Sequence, residues 1–378
     1  MGKILVISEK EVRECLTMSM AIKAVESAYV QKTLGEGELF PLICHDFIPG
    51  KADMDIKSGS AKSSGIFGLK LVSWFGDNVP LGLPALCGTV LLFDHCTGVP
   101  LALLNASGIT GMRTGAAGAV GAKYLARPDS RTMLMVGCGA QAPYQIAAML
   151  TAMEYVDKIY LYDPMDSQGA AKRLDAIWEA VEGILSADAR AGAARETLAP
   201  SGHRPAQGIS AAQSLRPAQE ALAVREGKGR AGYELVPVTD IESAVGDSDL
   251  IVTATPSRKP LIHRKWVRPG THLSCMGADM KGKQELDPQL LTQARVFADD
   301  LEQAGTVGEC EIAVAKGLLS KGNIHELGHV IHGTMAGRQS DTDVTVFDSS
   351  GIALQDLIVS KEILDRAKAR GLGTWVEL

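Results

Sequence analysis

Residues 132–150 place the strongest constraint on the fold of this chain. Five residues with strand character run into Gly137-Cys138-Gly139-Ala140-Gln141-Ala142, and an alanine-rich helical run follows. This order matches the G-x-G-x-x-G/A fingerprint of a dinucleotide-binding unit, in which the small residues permit a tight turn, close approach of a pyrophosphate and close helix packing. The free N–H groups at the helix start favour phosphate. We therefore predict that Gly137, Gly139, Ala140 and Gln141 bind a dinucleotide.

The next predicted strand, residues 158–163, ends in an acidic residue. Asp163 follows Gly137 by 26 residues, close to the position where an acid binds the adenosine ribose hydroxyls. An acid there favours NAD over NADP, because it would repel the additional phosphate. Thr253 and Thr255, at the end of a later predicted strand, are expected to face the same cofactor.

Strands and helices alternate along the second half of the chain. Further strands are predicted at 234–238, 249–255, 271–277 and 294–299. This alternation predicts an α/β fold with a Rossmann-type, doubly wound parallel sheet. The segment from about 183 to 232 has little apolar periodicity and is predicted to be a solvent-exposed insertion, in part helical.

The first hundred residues indicate an α+β unit with an antiparallel sheet. Ser8 and Glu11 form a capping box that starts an amphipathic helix, and short strands and turns follow from residue 40. A Gly/Ala-rich helix at 109–126 suits close packing where two units meet. A long helix at 351–371, capped by Ser349 or Ser350, is predicted to return to the first unit. The predicted domains are 1–127 with 311–378, which bind substrate and dimerise, and 128–310, which bind the cofactor.

Composition excludes several classes of function. The net charge is −6, only 5% of the residues are aromatic, and no basic stripe is present, which disfavours a nucleic-acid partner. No apolar run approaches the length of a membrane span. The seven cysteines show no C-x-x-C pairing, a usage that suits a reducing cytoplasm. We therefore expect a cytoplasmic protein without a nucleic-acid or membrane partner.

Three charged residues occur in unusual positions. Lys70 lies inside an apolar strand, and Arg113 lies near the head of the Gly/Ala-rich helix. Either can bind a carboxylate, although structural ion pairs are an equal alternative. Asp279 follows a strand at its carboxyl end, where ligands of open α/β sheets bind, and can act as a general acid or base once it is partly desolvated.

A zinc-protease signature is also present. His325-Glu326-Leu327-Gly328-His329 matches H-E-x-x-H. That site needs both histidines on one helix face, and the glycines at 322 and 328 weaken any helix there. We therefore predict no metal site.

The chain resembles the ornithine cyclodeaminase/μ-crystallin family over nearly its whole length, apart from the insertion. The matching stretches are Gly68-Leu-Lys70, Gly88-Thr-Val-Leu-Leu-Phe-Asp94, Thr97-Gly98, Ile109-Thr-Gly-Met-Arg-Thr114, Gly137-Cys-Gly-Ala-Gln141, Gly277-Ala-Asp-Met-Lys-Gly-Lys283 and Val346-Phe-Asp-Ser-Ser-Gly-Ile-Ala353.

The resemblance implies a homodimer that binds NAD(H) or NADP(H). It implies that Lys70 and Arg113 hold the substrate carboxylate. It also implies that Asp279 transfers protons or activates water. The expected catalytic residues are therefore Asp279 and Lys70. The stretch Asp348-Ser349-Ser350-Gly351, with Arg113, is expected to line the nicotinamide side. The family's chemistry is hydride transfer at the α-carbon of an amino acid, which in cyclodeaminases is followed by ring closure and loss of ammonia.

Two departures from the family pattern bear on the substrate. Many relatives carry P-x-R in an early strand, and here Ile43 takes the arginine's place. Ornithine-acting relatives carry an acid about a dozen residues before the lysine that Lys70 matches. The ungapped count places Lys57 there, which favours an anionic or neutral substrate side chain, whereas Asp53 or Asp55 in that place would keep ornithine possible.

We therefore predict an NAD-dependent enzyme that transfers hydride at the α-carbon of a small amino or imino acid, as an imine reductase or amino-acid dehydrogenase. Two alternatives remain, an ornithine cyclodeaminase and a non-catalytic nicotinamide-cofactor binding protein. Loss of Lys70, Arg113 or Asp279 would have suggested the binding protein, and all three residues are present.

Overall fold

The computed structural model describes residues 2–48, 51–198 and 232–378. Two eight-stranded sheets organise these residues. The strands are β1 (Lys3–Ile7), β2 (Gly37–Leu39), β3 (Ile43–Ile48), β4 (Ala52–Ala61), β5 (Ile66–Phe75), β6 (Leu86–Asp94), β7 (Pro100–Asn105), β8 (Thr132–Val136), β9 (Lys158–Tyr162), β10 (Glu234–Pro237), β11 (Leu250–Thr253), β12 (Arg258–Ile262), β13 (His272–Cys275), β14 (Gln284–Leu286), β15 (Arg295–Ala298), β16 (Ile324–Glu326), β17 (Thr345–Asp348) and β18 (Thr374–Glu377).

Ten α-helices accompany these strands in the described ranges. They are α1 (Glu9–Cys15), α2 (Met18–Thr33), α3 (Ser107–Leu125), α4 (Ala142–Ala152), α5 (Gly169–Leu198), α6 (Ile241–Asp247), α7 (Leu301–Ala304), α8 (Glu311–Ala315), α9 (Leu327–Ile331) and α10 (Ala353–Arg370). No helix in these ranges is long and apolar enough to cross a membrane.

The first sheet is mainly antiparallel. It has the order β18-β1-β7-β6-β5-β4-β2, and β3 pairs with β4. Helices α2 and α10 pack on one face of this sheet, and the predicted capping box of Ser8 and Glu11 starts α1. This confirms the predicted α+β unit.

The second sheet is parallel throughout, with the order β10-β9-β8-β11-β13-β17-β15-β16. This confirms the predicted Rossmann-type fold. The carboxyl ends of β8, β9, β11, β13 and β17 meet at one edge, where such sheets bind their ligands.

The Gly/Ala-rich helix α3 is buried between the two sheets and packs closely on α4. A Cβ atom at Gly115 would lie 2.4 Å from the backbone oxygen of Tyr144, and one at Gly121 would lie 2.5 Å from the Phe347 ring. Only glycine permits this approach, so the low helix propensity of α3 has a packing reason.

Two predicted boundaries are corrected, and a third segment is described only in part. The return to the first unit was placed at residue 311, but β16 and β17 still belong to the parallel sheet, and the chain crosses back only before α10. Within the predicted insertion at about 183–232, α5 continues to Leu198, which agrees with the expected partly helical character, and residues 199–231 lie outside the described residues. Ile352, not Ser349 or Ser350, is the N-cap residue of α10.

Candidate active site

A cluster of three basic side chains surrounds one acid on the inner face of the first sheet. Lys57 on β4 and Lys70 on β5 are direct cross-strand partners, so both point to the same face. Arg113 approaches from α3, and Asp356 approaches from α10. We call these four residues the basic cluster, in which the Asp356 carboxylate pairs with both Lys70 and Arg113.

Lys70 is the most buried member of the basic cluster. Its Nζ atom lies 3.1 Å from the Asp356 carboxylate, and its side chain is 1% exposed. Burial, the nearby charge of Arg113 and that of Lys57 lower the pKa of Lys70 to about 8, although Asp356 opposes the shift. Lys70 therefore loses its charge near pH 8, well below the range of an ordinary lysine.

Asp356 is the counter-ion of this cluster. Its Oδ1 atom lies 3.1 Å from Nε of Arg113. Burial alone would raise the pKa of the Asp356 carboxyl, but Arg113, Lys70 and Lys57 hold it below its ordinary value. Asp356 therefore stays ionised.

Arg113 is held in place by a second residue of α10. Its Nη1 atom donates to Oε1 of Gln355 at 3.1 Å, and Nε2 of Gln355 donates to the Tyr29 hydroxyl at 2.5 Å. The Tyr29 ring is buried and packs edge-on against Phe347. This chain of contacts fixes the guanidinium plane, which a fork-like contact with a carboxylate needs.

The glycine-rich turn after β8 has the form that a pyrophosphate requires. Gly137 has φ +105°, and a Cβ atom there would lie 2.7 Å from the backbone oxygen of Ala254, so only glycine fits. Nothing lies within 4 Å of the Cβ position of Gly139, so the backbone is open to a ligand. Helix α4 begins at Ala142, directly after Ala140 and Gln141, with its N–H groups at this edge. These residues fit a dinucleotide.

Asp163 lies directly after β9, as predicted, but its carboxylate is already engaged. Its Oδ1 atom accepts from the backbone N–H of Met165 at 2.9 Å, and its Oδ2 atom is paired with Nη1 of Arg173 on α5. The Asp163 side chain is 6% exposed.

Thr253 and Thr255 reach the carboxyl edge of the sheet, but their hydroxyls point to a buried acid. Both donate to the Glu285 carboxylate at 2.7 Å, as does the backbone N–H of Thr255; the N–H of Gly277 donates at 3.0 Å. Glu285 therefore joins the ends of β11 and β13.

Glu285 is the first of three buried carboxylates that connect the loops at this edge. Glu309 accepts from the backbone N–H groups of Glu285 and Leu286, and Asp348 accepts from those of Glu309 and Cys310 at 3.0 and 2.9 Å. Burial raises the pKa of Asp348 to about 7, although these N–H bonds oppose the shift. We call Glu285, Glu309 and Asp348 the carboxylate ladder.

Ser349 and Ser350 lie between the carboxylate ladder and the basic cluster. Their hydroxyls donate to Asp299 at 2.9 and 3.3 Å, and the backbone N–H of Gly351 donates to the same carboxylate at 2.8 Å. These contacts fix the backbone of residues 349–351 at the carboxyl end of β17. They also explain why neither serine caps α10.

The two halves of the site meet at Gly351. Nζ of Lys57 donates to the carbonyl oxygens of Ser350 and Gly351, each at 3.0 Å. Gly351 has φ +80°, and a Cβ atom there would lie 2.7 Å from Nη1 of Arg113. The basic cluster therefore contacts the loop predicted to line the nicotinamide.

Asp279 follows β13 at the same edge but is exposed rather than desolvated. Its side chain is 50% exposed and is paired with Nζ of Lys283. Asp279 therefore lies at the carboxyl edge as predicted from its position after β13, and its role as a general acid or base stays a prediction.

Three residues weighed for the substrate side chain share one face of β4. Asp53, Asp55 and Lys57 alternate along the strand, and their partners on β5 are Trp74, Val72 and Lys70. Lys57 and the two acids can therefore all face the substrate side chain, and the choice between them that the sequence count required does not arise. The Oδ1 atom of Asp55 is buried and has no hydrogen-bond partner.

Ile43, in the place of the family arginine, pairs with Ile56 and so lies on the other face of the sheet.

The zinc-protease signature is divided between two elements. His325 lies on β16 and His329 on α9, so the two histidines do not share a helix face. Across the described ranges, no three His, Cys, Asp or Glu side chains are grouped so that they could hold a metal ion.

Comparison with known proteins identifies the family. Residues 3–194 and 193–371 match the ornithine cyclodeaminase/mu-crystallin family. The chain belongs to this family. The predicted family and its Rossmann-type fold are thereby confirmed.

Several members of the ornithine cyclodeaminase/mu-crystallin family are similar along their whole length. An alanine dehydrogenase from Archaeoglobus fulgidus is 34% identical over 99% of this chain and 98% of its own. An iminosuccinate reductase from Paracoccus denitrificans is 29% identical over 99% of this chain and all of its own. A Delta(1)-pyrroline-2-carboxylate reductase from Bacillus cereus is 28% identical over 99% of this chain and all of its own. These names support the predicted class, oxidoreductases that act on amino or imino acids.

Two solved structures of family members cover both chains completely. An archaeal alanine dehydrogenase dimer with bound NAD has a TM-score of 0.77 at 31% identity. The Paracoccus denitrificans iminosuccinate reductase in complex with NAD+ has a TM-score of 0.78 at 29% identity. The prediction of NAD as the cofactor is supported at the level of these relatives.

Several residues of the site were not predicted from the sequence. They are Asp356, Gln355, Tyr29, Arg173, Asp299, Glu285 and Glu309. A signal existed for Asp356, because an acid within the apolar run from Ile352 to Val359 needs a buried cation. Glu285 and Glu309 gave no such signal, since their donors lie on other elements of the chain.

Proposed function

We propose that this protein is an NAD-dependent enzyme that transfers hydride at the α-carbon of a small amino or imino acid. The contact of Lys57 with the backbone of Ser350 and Gly351 carries this proposal, because it joins a carboxylate-binding cluster to the loop on the nicotinamide side. A substrate carboxylate held there would place its α-carbon beside the nicotinamide.

Each part of the site has a role in this reaction. Lys70 and Arg113 bind and orient the substrate carboxylate. That carboxylate either replaces Asp356 as their partner or binds them together with Asp356. Asp279 holds or moves a proton at the substrate nitrogen. The bound nicotinamide supplies the hydride donor or acceptor, and Gly137, Gly139, Ala140 and Gln141 hold its pyrophosphate.

Lys57 and Asp55 set the preference for the substrate side chain. Two donors of the Lys57 ammonium are used by backbone carbonyls, but its charge remains on the inner face and favours a short neutral or anionic side chain. The unpartnered oxygen of Asp55 favours a second candidate, an ornithine cyclodeaminase, because it could accept from a distal ammonium group.

One assay separates these reactions. Purified protein is given NADH with pyruvate, glyoxylate or oxaloacetate plus ammonia or methylamine, and NAD+ with amino acids in reverse. We expect net NADH oxidation with at least one oxo acid and amine. Ammonia release from ornithine with catalytic NAD and no net redox change would instead establish the cyclodeaminase, and inactivity in both assays would contradict the proposal.

We further propose that the protein is a homodimer. The outer face of the first sheet carries Ile43, Phe47 and Leu71, which are 53, 53 and 38% exposed, and exposed Val79, Leu81 and Leu83 follow β5. Exposed apolar residues in this number are typical of an interface. We also propose a cytoplasmic location, because all seven cysteines are free.

A further inference from the structure

Arg173 alters the effect that the Asp163 carboxylate has on the choice between NAD and NADP. An acid at the end of the second Rossmann strand normally binds the ribose diol and repels a 2′-phosphate. Here the Asp163 carboxylate is nearly buried, and both of its oxygens already accept from N–H groups, one of Met165 and one of Arg173. The charge that would repel a phosphate is therefore neutralised by its neighbour.

The position of Arg173 is fixed by the start of α5. That helix begins at Gly169, where a Cβ atom would lie 2.5 Å from Oδ2 of Asp163, so the helix start lies directly against the carboxylate. Arg173 is one turn further along and points back over the acid. No larger residue at 169 would allow this pairing.

Arg173 is also close to the cofactor loop. Burial raises the pKa of the Cys138 thiol to about 11, and the charges of Asp163 and Arg173 act on that thiol with opposite signs. Cys138 lies between Gly137 and Gly139, so both charges lie within electrostatic range of the pyrophosphate turn. The adenosine ribose would lie between them.

The Arg173 side chain can bind a further group. It is 51% exposed, and its recorded contact with Asp163 uses one amino group, Nη1. A guanidinium has five N–H donors in a fork that matches two phosphate oxygens. The unused donors are therefore available to a doubly charged ligand beside Asp163.

We infer that Arg173 binds the 2′-phosphate of NADP(H), so that this enzyme accepts NADPH as well as NADH. The inference deepens the cofactor part of the proposed function and rests on it. Lys172, the adjacent cation, is paired with Asp166 and points elsewhere, so it provides a matched comparison.

Binding of each cofactor to the purified full-length protein tests the inference without any substrate. Dissociation constants are measured for NADH and NADPH from the nicotinamide fluorescence. We expect the wild-type constants to lie within about tenfold of each other. In Arg173→Gln, the ratio of the NADPH constant to the NADH constant should rise about 10- to 100-fold, the effect of losing a charge-assisted contact with phosphate.

Two further variants make the result specific. Lys172→Gln should change the ratio less than about threefold, and Asp163→Asn should lower it, because a residual repulsion is removed. An equal loss of both cofactors in Arg173→Gln, or a wild-type protein that binds NADH but not NADPH, would overturn the inference. If both cofactors bind in the expected pattern but no amino or imino acid is turned over, the inference stands and only the proposed reaction fails.

Discussion

Lys57 and Lys70 lie directly opposite each other on neighbouring strands, with both ammonium groups on the inner face of the first sheet. Like charges in this arrangement destabilise a sheet unless each finds its own partner. Lys70 pairs with Asp356, whereas Lys57 binds the carbonyl oxygens of Ser350 and Gly351. Their different partners suit different roles. Lys70 is placed to bind the substrate carboxylate, and Lys57 is placed to hold the loop after β17.

The charge of Lys70 should limit activity at alkaline pH. Because its pKa is lowered to about 8, kcat/KM for a carboxylate substrate should fall as the pH rises through that value. Lys70→Arg should move the fall to higher pH, since arginine keeps its charge. A wild-type profile that stays level to about pH 9, a full pH unit above this pKa, would contradict this role.

The lowered pKa of Lys70 should also make the free energy of unfolding depend on pH. The folded protein loses the Lys70 proton near pH 8, whereas the unfolded chain keeps it to about 10.5. Between these values the unfolded state binds more protons, so the free energy of unfolding contributed by this group rises with pH. Urea titrations across this window should show the rise in the wild type and not in Lys70→Met.

Replacing Asp356 should destabilise the protein. Asp356→Asn leaves Lys70 and Arg113 buried without a counter-ion, which typically costs about 3–5 kcal/mol. Urea unfolding measures the loss. Asp365→Asn on the same helix is the control, because its pair with Lys361 is 53% exposed at the acid and should contribute about 1 kcal/mol or less. Equal losses in the two variants would show that the basic cluster does not depend on Asp356.

Asp279 should be needed for turnover but not for cofactor binding. Asp279→Asn is expected to lower kcat by about 10²–10⁴-fold, the usual contribution of a general acid or base, while the NADH dissociation constant stays close to that of the wild type. Asp287→Asn is the control, because within the described residues that carboxylate accepts from the backbone N–H of Gln289 in a surface turn. Retained activity in Asp279→Asn would remove the residue from the mechanism.

Glu285 should be sensitive even to replacement by its amide. Its two oxygens each accept from a backbone N–H, of Thr255 and of Gly277, and neither donor can rotate away. In Glu285→Gln the new NH2 group must face one of them, which should cost about 1–3 kcal/mol in stability and weaken NADH binding. Thermal unfolding and NADH titration measure both effects. Thr255→Val, which removes only a hydroxyl, should cost less.

The apolar outer face of the first sheet should hold the dimer together. Leu71→Lys places a charge on this face, and sedimentation velocity should show monomers at concentrations where the wild type is dimeric. Met165→Lys, at a position that is 86% exposed on the second unit, should leave the dimer intact. A wild-type protein that sediments as a monomer would refute the interface.

Local signals predicted the parts of the fold that local chemistry decides. The capping box of Ser8, the glycine turn after β8 and the parallel order of the second sheet all follow from neighbouring residues or from strand–helix alternation. The assignment of Ser349 and Ser350 as helix caps was wrong because their hydroxyls have a stronger partner in Asp299, about fifty residues away along the chain. A capping preference carries no information about so distant an acceptor.

The site was predicted least well where buried charges meet. Lys70 and Arg113 stand out in the sequence as cations in apolar surroundings, but the acid that brings them together lies on α10, more than two hundred residues later. Arg173 was missed for a related reason. The fingerprint rule considers the acid after the second strand, Asp163, by itself. The net charge next to a bound ligand also depends on Arg173, which the following helix pairs with that acid.

The carboxylate ladder has a practical consequence for anyone who exchanges segments between members of this family. Each of the three carboxylates accepts hydrogen bonds from the main chain of another segment. Glu285 accepts from the loops after β11 and β13, Glu309 accepts from β14, and Asp348 accepts from the residues directly before α8. A chimaera that imports one loop without Glu285, Glu309 and Asp348 would leave main-chain donors facing an empty acceptor position inside the protein. The segments at the rim of the cofactor site should therefore be exchanged together, with all three acids, rather than one at a time.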